Sequence, residues 1–461
     1  ASPNPTVTIA SGIVIGTTQA LPSSTETANV YLGIPFAQSP PVRFAPPEAP
    51  APWPSPIYAQ EFKPSCMQVF ADFNSAYTDN PWTEDEDCLY LNVWTPRGSN
   101  ATDLEVMVWI YGGNLAWGTS SDPFTEGTAL AVRGNIIVVS FNYRLSIFGF
   151  SNSPSLPLTH RNAGFLDQRL ALDWVQRNIH DFGGNASKVT IFGQSAGGYS
   201  VQQLLAAPPG PKDRPPFRAA IMQSFARAFG GNGTANYLNA AEHFNCTDEE
   251  VLACLRRVDA VELRDYAAQA ELDFAPVEDH HTCITNVTDH ILNGPGLADV
   301  PLLLGSTRDE LSAMVYALSS NATDPVHTTW HRVHDRLITK LLFSPSSSSL
   351  SKRNYGLLVR LASDIVFTCP TSRACNVTTA SSSSSSSSSN NKRRSGVWRY
   401  RWSTEAAAPG TIIPNHGAVH GAEIPAIFGT HLPDTPADTL AMTAYMQELW
   451  AGFAKHPVAG P

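Results

Sequence analysis

The 461-residue chain has no run of about 18 apolar residues, the length a helix needs to cross a bilayer, so no membrane span is expected. Its first ten residues, "ASPNPTVTIA", lack both a basic stretch and an apolar core. They read as the start of a mature chain whose signal peptide, if it had one, is already gone. Lys and Arg are outnumbered, 30 against 40 Asp and Glu, and the formal charge is −10. The basic residues are scattered, with no face able to neutralise a row of phosphates, which argues against a nucleic-acid partner. No metal-type C-x-x-C occurs. Only 15% of residues are charged, while 43% are hydrophobic and 10% aromatic, ample for a sizeable core. Disorder of the chain as a whole is thereby excluded.

Seven cysteines are present: Cys66, Cys88, Cys246, Cys254, Cys283, Cys369 and Cys375. They travel with seven Asn-x-Ser/Thr sequons, at Asn100, Asn185, Asn232, Asn245, Asn286, Asn321 and Asn376. Each sequon is a weak signal alone. Together they favour a secreted, disulfide-bearing glycoprotein over a cytosolic one, with one cysteine left over.

Length does not divide the chain, so 1–461 is read as one large domain. Short apolar runs, "VMVWIY" (106–111), "IIVVSF" (136–141), "KVTIF" (188–192), "RAAIMQS" (218–224), "VPLLLG" (300–305) and "VWRYRW" (397–402), are separated by segments long enough for helices. Strands buried on both faces read this way, which predicts an α/β fold with a mostly parallel sheet between helical layers. "NAGFLDQRLALDWVQRNI" (162–179) sets Leu166, Leu170 and Trp174 at four-residue spacing and predicts an amphipathic helix. Two serine-rich stretches, 344–352 and 381–396, are too polar to order themselves, and the second is expected to be a solvated insertion before the 397–402 strand.

"GQSAG" (193–197) fits G-x-S-x-G, with a strand candidate before it and the helical pattern "AGGYSVQQLLAA" (196–207) after it. That context is a nucleophile elbow, where glycines allow a strained turn and tight packing around a serine. A serine hydroxyl is a poor nucleophile near neutrality and needs a base, normally a histidine oriented by a carboxylate, in the chain order Ser, acid, His. That order sets aside His160 and His180. "NHGAVHGAEIPAIFG" (415–429) offers His416 and His420, and "VPLLLGSTRDEL" (300–311) runs into Asp309 and Glu310 at the carboxyl end of a strand, the ligand-binding edge of such sheets. The residues alone do not choose within either pair. "WIYGGNLAWG" (109–118) follows another strand and can offer backbone N–H groups to an oxyanion together with that of Ala196.

Ordered along nearly the whole chain are "YLGIPFA" (31–37), "RFAPPEAP" (43–50), "EDCLYLNVWTP" (86–96), "FNYRLSIFGF" (141–150), "FGGNASKVTIFGQSAGG" (182–198) and "HGAEIPAIFG" (420–429). In these the sequence resembles the type-B carboxylesterase family of α/β-hydrolases, which includes cholinesterases and many fungal esterases and lipases. The resemblance implies a triad of Ser195, Glu310 and His420, with Asp309 and His416 as bystanders. It also implies disulfides Cys66–Cys88 and Cys246–Cys254 and ion pairs Arg43–Glu86 and Arg144–Asp167. No metal or cofactor follows from it. Cys283, Cys369 and Cys375 stay unassigned, since the family's usual C-terminal partner cysteine is absent.

The chain departs from the family in four places. The glycine triplet reads Gly112, Gly113, Asn114, so the oxyanion donors would be the N–H groups of Gly113, Asn114 and Ala196; asparagine tolerates unusual backbone angles. Gln194 stands where many cholinesterases carry glutamate, which weakens the case for a cationic choline ester. Leu311 replaces a common glycine. The chain also stops early, at "WAGFAKHPVAGP", as though a tail had been trimmed. The Cys66 to Cys88 loop encloses only 21 residues, a short lid that favours an esterase over an interfacial lipase, with Tyr77 and Trp82 as gorge-lining candidates. "HTTWHRVH" (327–334) reads as a solvated helix face in preference to a metal site, and "EDHHTC" (278–283) as a segment with a possible specificity role.

The expected activity is hydrolysis of small-molecule carboxylic esters through an acyl-serine. A lipase or sterol-ester hydrolase, an acyltransferase on the same triad, and a non-catalytic recognition protein on the same fold are the alternatives.

Overall fold

The computed structural model describes the chain except at residues 1–2, 23, 70–81, 99–101, 211–213, 227–231, 248–249, 314, 316–351, 384–395, 405–416, 431–434 and 436. Its centre is a nine-stranded sheet. In chain order the strands are β1 (Thr17–Ala20), β2 (Thr27–Pro35), β3 (Tyr90–Pro96), β4 (Leu104–Ile110), β5 (Ile137–Phe141), β6 (Gly184–Gln194), β7 (Ala219–Gln223), β8 (Leu302–Thr307) and β9 (Val397–Trp402). They lie side by side as β9-β8-β7-β6-β4-β5-β3-β2-β1. From β9 to β5 every pairing is parallel; β3, β2 and β1 continue the sheet antiparallel. The fold is that of an α/β-hydrolase.

The parallel strands are the six apolar runs of the sequence. Val106, Val108, Ile137, Val139, Val189 and Ile191 are fully buried, because helices cover both faces and leave no solvent side for a polar residue. The antiparallel strands carry no such run, and β1 is mostly exposed, which hid them from an apolar-run reading.

Strand alternation assigns the two helical layers. Phe192 of β6 stacks on Phe428 of the short helix Ile424–Phe428, with Trp109 of β4 beside both rings. The neighbouring Gly193 abuts Gly197, on the helix that follows β6, on the other face. Helix α1 (Ala163–Asn178) packs near that second helix, α2 (Ala196–Ala206), through a bond from Gln168 to the Ser200 hydroxyl of 3.0 Å. The expected apolar stripe of α1 is corrected here. Trp174 is buried, but Leu166 and Leu170 are only half-buried, and the inward face is Phe165, Ala171, Leu172, Trp174 and Val175. Its register follows the sheet that α1 must cover, which a four-residue count cannot see.

The serine-rich insertion also differs from expectation at its edge. Helix α3 (Cys369–Ser383) enters the tract before the described residues stop at 383. The 344–351 stretch, "HTTWHRVH" and Tyr77 lie outside the described residues. Both implied disulfides are formed, Cys66–Cys88 and Cys246–Cys254, and Cys283 is a buried thiol. Among the sequons described, Asn232, Asn245, Asn286 and Asn376 are exposed, while the half-buried Asn185 gives its amide to Asp103. Among the described residues no helix is long and apolar enough to cross a membrane.

Both implied ion pairs exist. Arg43 grips the Glu86 carboxylate with two nitrogens. Arg144 and Asp167 form a buried, two-pronged pair, with Nε to Oδ2 at 2.8 Å and a second nitrogen to Oδ1 at 2.6 Å. The backbone N–H of Arg144 also donates to Asp167, at 3.0 Å, so the pair fixes the loop after β5 to α1. Removing one member strands a charge in the interior. Asp167→Asn is expected to destabilise the fold by about 3–5 kcal/mol in urea unfolding monitored by tryptophan fluorescence.

Candidate active site

Parallel strands end at a common edge, and the loops leaving β4, β6 and β8 meet there. The register aligns Ile110 of β4 with Gly193 of β6, and Gln194 with Gln223 of β7. Ser195 therefore emerges at mid-sheet. Its backbone takes φ +58, a left-handed conformation costly for a residue with a side chain. The strain is held from both sides: Ser195 N–H donates to Gln223 O at 2.9 Å, and helix α2 starts at the next residue. A Cβ on Gly197 would come 1.9 Å from the Ile110 carbonyl, so only glycine lets α2 sit this close to β4.

The turn after β4 stands over the elbow. A Cβ placed on Gly112 would lie 2.9 Å from Ser195 Cβ, which measures how near the two loops are. Gly113 and Asn114 take φ +102 and +56, so Asn114 occupies the left-handed region that asparagine tolerates. Two stacked tyrosines brace the turn, with ring centroids 4.4 Å apart. Tyr143 donates its hydroxyl to Tyr111 O at 2.8 Å, and Tyr111 donates its own to Tyr143 O at 3.1 Å. Burial pushes both phenols up from their ordinary range. Ala196, the third expected donor, is buried as the first residue of α2.

Beyond β8 the two candidate carboxylates meet different partners. Glu310 is 1% exposed, and its Oε2 lies 2.6 Å from His420 Nδ1 while its Oε1 accepts from Thr307 N–H at 2.7 Å. Asp309 turns the other way. It accepts from Ala418 N–H at 2.9 Å and pairs with Arg308, and its own N–H donates to Ala418 O. Asp309 thereby pins the loop that carries His420. His416 lies outside the described residues.

Sequence reasoning missed the surroundings of this histidine and its carboxylate, apart from Gln194, which it noted only for the charge it lacks. Phe367, on a π-helical turn (Asp364–Thr368), sets its ring 4.7 Å from that of His420. Gln194 places its side-chain nitrogen 3.0 Å from His420 Nε2. Glu423 is fully buried, accepts from Gln223 Nε2 at 3.2 Å, and is pushed up to about 7, first by burial and then by the nearby Glu310. Tyr400 of β9 lies beside it, raised by burial and by the same two carboxyls. A lone glutamate in the apolar stretch "AEIPAIF" was the available signal for Glu423.

In "EDHHTC" hydrogen bonds to one carboxylate build the loop. Asp279 accepts from the N–H groups of His281, Thr282 and Cys283 at 2.7–2.9 Å and from the Thr282 hydroxyl at 2.6 Å. Those bonds outweigh its burial and lower its carboxyl below the usual range. The gorge candidate Trp82 is half-buried.

A strained serine on a strand–turn–helix elbow, at the same sheet edge as a carboxylate-bound histidine, is the arrangement of the α/β-hydrolase fold. A family model described as the Carboxylesterase family matches residues 3–458, and the chain belongs to that family, among its cholinesterase-like type-B members. It is similar to para-nitrobenzyl esterase of Bacillus subtilis (strain 168), 32% identical over 473 residues that cover 97% of this chain and 89% of that protein. It is also similar to acetylcholinesterase of Bungarus fasciatus, 36% identical over 334 residues, 66% of this chain and 54% of that protein. Cholinesterase of Mus musculus is 36% identical over 363 residues, covering 73% and 57% respectively. The chain spans about half the length of the acetylcholinesterases it matches.

Glu423 has a consequence for stability. Its folded value of about 7 lies above its ordinary 4.5, so the folded state holds the proton more tightly. The stabilisation is complete below about 4.5 and is lost as pH rises through about 7. Glu423→Gln keeps an acceptor for Gln223 and never ionises. Its unfolding free energy relative to the parent is expected to rise between pH 5 and pH 8, by up to about 3 kcal/mol, in urea titrations across that range.

Proposed function

We propose that the protein is a secreted serine hydrolase that cleaves small-molecule carboxylic esters through an acyl-serine intermediate. The observation that carries this reading is the 2.6 Å contact between Glu310 and His420 at the same sheet edge as the strained Ser195. Ser195 Oγ attacks the ester carbonyl as its proton passes to His420 Nε2, and Glu310 holds the imidazolium that results. The N–H groups of Gly113, Asn114 and Ala196 receive the oxyanion. Collapse of the tetrahedral adduct breaks the bond to the alcohol, which leaves with the proton from His420. Water then adds to the acyl-serine by the same route and releases the acid.

Similarity to para-nitrobenzyl esterase over nearly the full length of both chains supports an ester with an uncharged alcohol. An amide at Gln194, in place of a carboxylate, supports the same choice, since it offers a cationic alcohol no counter-charge. Two disulfides and four exposed sequons support secretion.

A fluorophosphonate probe is expected to label the protein at Ser195, and p-nitrophenyl butyrate to be turned over. Ser195→Ala loses labelling and at least about 10⁴-fold in kcat, and Glu310→Gln loses on the order of 10⁴-fold with labelling slowed. Neither labelling nor turnover in the parent would sink the reading. Acyl transfer to added hydroxylamine in excess over hydrolysis would move it to an acyltransferase, and preference for emulsified long-chain triglyceride to a lipase.

A further inference from the structure

We infer that Gln194 is a positioning residue for the base, and that its neutral amide sets which nitrogen of His420 carries the proton in the resting protein. The inference rests on the reading of His420 as the base. Gln194 ends β6, is 5% exposed, and sets its amide nitrogen 3.0 Å from His420 Nε2. A carboxamide nitrogen donates and has no lone pair to offer. The imidazole must therefore accept at Nε2, which leaves its proton on Nδ1, directed at Glu310 2.6 Å away. That is the tautomer a base needs, with a free pair on the side of the serine.

The orientation of the amide has a second support. Its oxygen faces the turn after β4, where a Cβ on Gly112 would come 3.1 Å from Gln194 Oε1, and its nitrogen faces the histidine loop, 3.6 Å from the Cβ position of Gly421. An ionised Glu310 carboxylate can only accept, so Nδ1 of the neutral imidazole carries the proton, Nε2 is left an acceptor, and the group that faces it is the amide nitrogen. The tautomer is thus clamped at both ends, by a carboxylate that takes the Nδ1 proton and an amide that can only give one to Nε2. The amide must turn aside when Ser195 delivers its proton, so Gln194 holds the base in readiness and yields to the substrate complex.

Charge explains why an amide suits the position. His420 already faces Glu310 and feels the charge of Glu423 three residues along its own loop; Tyr400 from β9 stands by those two carboxyls, and Asp309, paired with Arg308, holds the loop at Ala418. Phe367 sets an apolar ring against the imidazole, its centroid 4.7 Å away. One more carboxylate there would favour the protonated imidazole and crowd Glu310 and Glu423. Gln194→Glu tests the charge, and Gln194→Met tests the hydrogen bond at nearly constant shape.

The full chain is assayed with p-nitrophenyl butyrate from pH 5 to pH 9, and the imidazole nitrogens are read by ¹⁵N NMR. The acid limb of kcat/KM is expected to move upward on the order of one pH unit in Gln194→Glu, costing about tenfold at pH 6, with the alkaline plateau kept within a few-fold. Gln194→Met moves the limb the same way by less, and its NMR shows His420 in mixed tautomers where the parent shows Nδ1–H alone. Folded variants that keep the parental acid limb overturn the inference, as does a parental His420 protonated at Nε2. Should Gln194→Glu fail to fold, Gln194→Met decides. The NMR comparison needs no turnover, so a parent with no esterase activity removes the function proposed above and leaves this inference to the tautomer measurement.

Discussion

The approach of helix α2 to the end of β4, closer than any side chain would permit at Gly197, fixes everything at the sheet edge. Because α2 begins beneath the oxyanion turn, the residue before it must reverse direction within one peptide. Ser195 absorbs that reversal in a backbone conformation it would not adopt alone. The bond from Ser195 N–H to Gln223 ties the strain to the neighbouring strand. The sheet's packing energy is therefore what keeps one hydroxyl lifted from the surface.

Around that hydroxyl the carboxyl groups have been given separate work by their surroundings. Glu310, buried, receives one N–H and faces an imidazole; Asp309, one residue earlier, braces the loop that carries the imidazole. Glu423, deeper still, takes an amide from Gln223 beside the Tyr400 hydroxyl, and Gln223 is linked in turn to Trp450 of the C-terminal helix Ala437–Lys455. An ionised carboxylate so placed is poorly solvated, and it holds a proton until about pH 7. Gln194 completes the set as a residue of carboxylate shape without the charge.

The parallel half of the sheet was legible because burial on both faces leaves an apolar record in its inner strands, and the edge strand β9 keeps enough large apolar residues to be read with them: each of the six runs became a strand. The antiparallel half was not, since β1 to β3 border solvent or loops and mix polar with apolar residues. The elbow was legible through glycines, whose spacing reports contacts too tight for a Cβ. Asp309 and Glu310 were indistinguishable by residue chemistry, because the direction of a side chain depends on the loop it leaves, and family resemblance supplied the choice. Gln194 and Glu423 acquire their meaning only across separations of 226 and 200 residues of chain, a relation no local pattern carries.

The stacked pair Tyr111 and Tyr143 divides the site into two electrically different halves. Both phenols are held far above their usual range by burial, and each hydroxyl is spent on the other's backbone. The wall proposed to receive the oxyanion is therefore braced by two phenols that burial keeps in their neutral form. On the histidine side stands the Glu423 carboxyl, pushed up to about 7 by burial. Acidity can alter how the protein moves protons while leaving untouched the mould into which the reacting carbonyl fits.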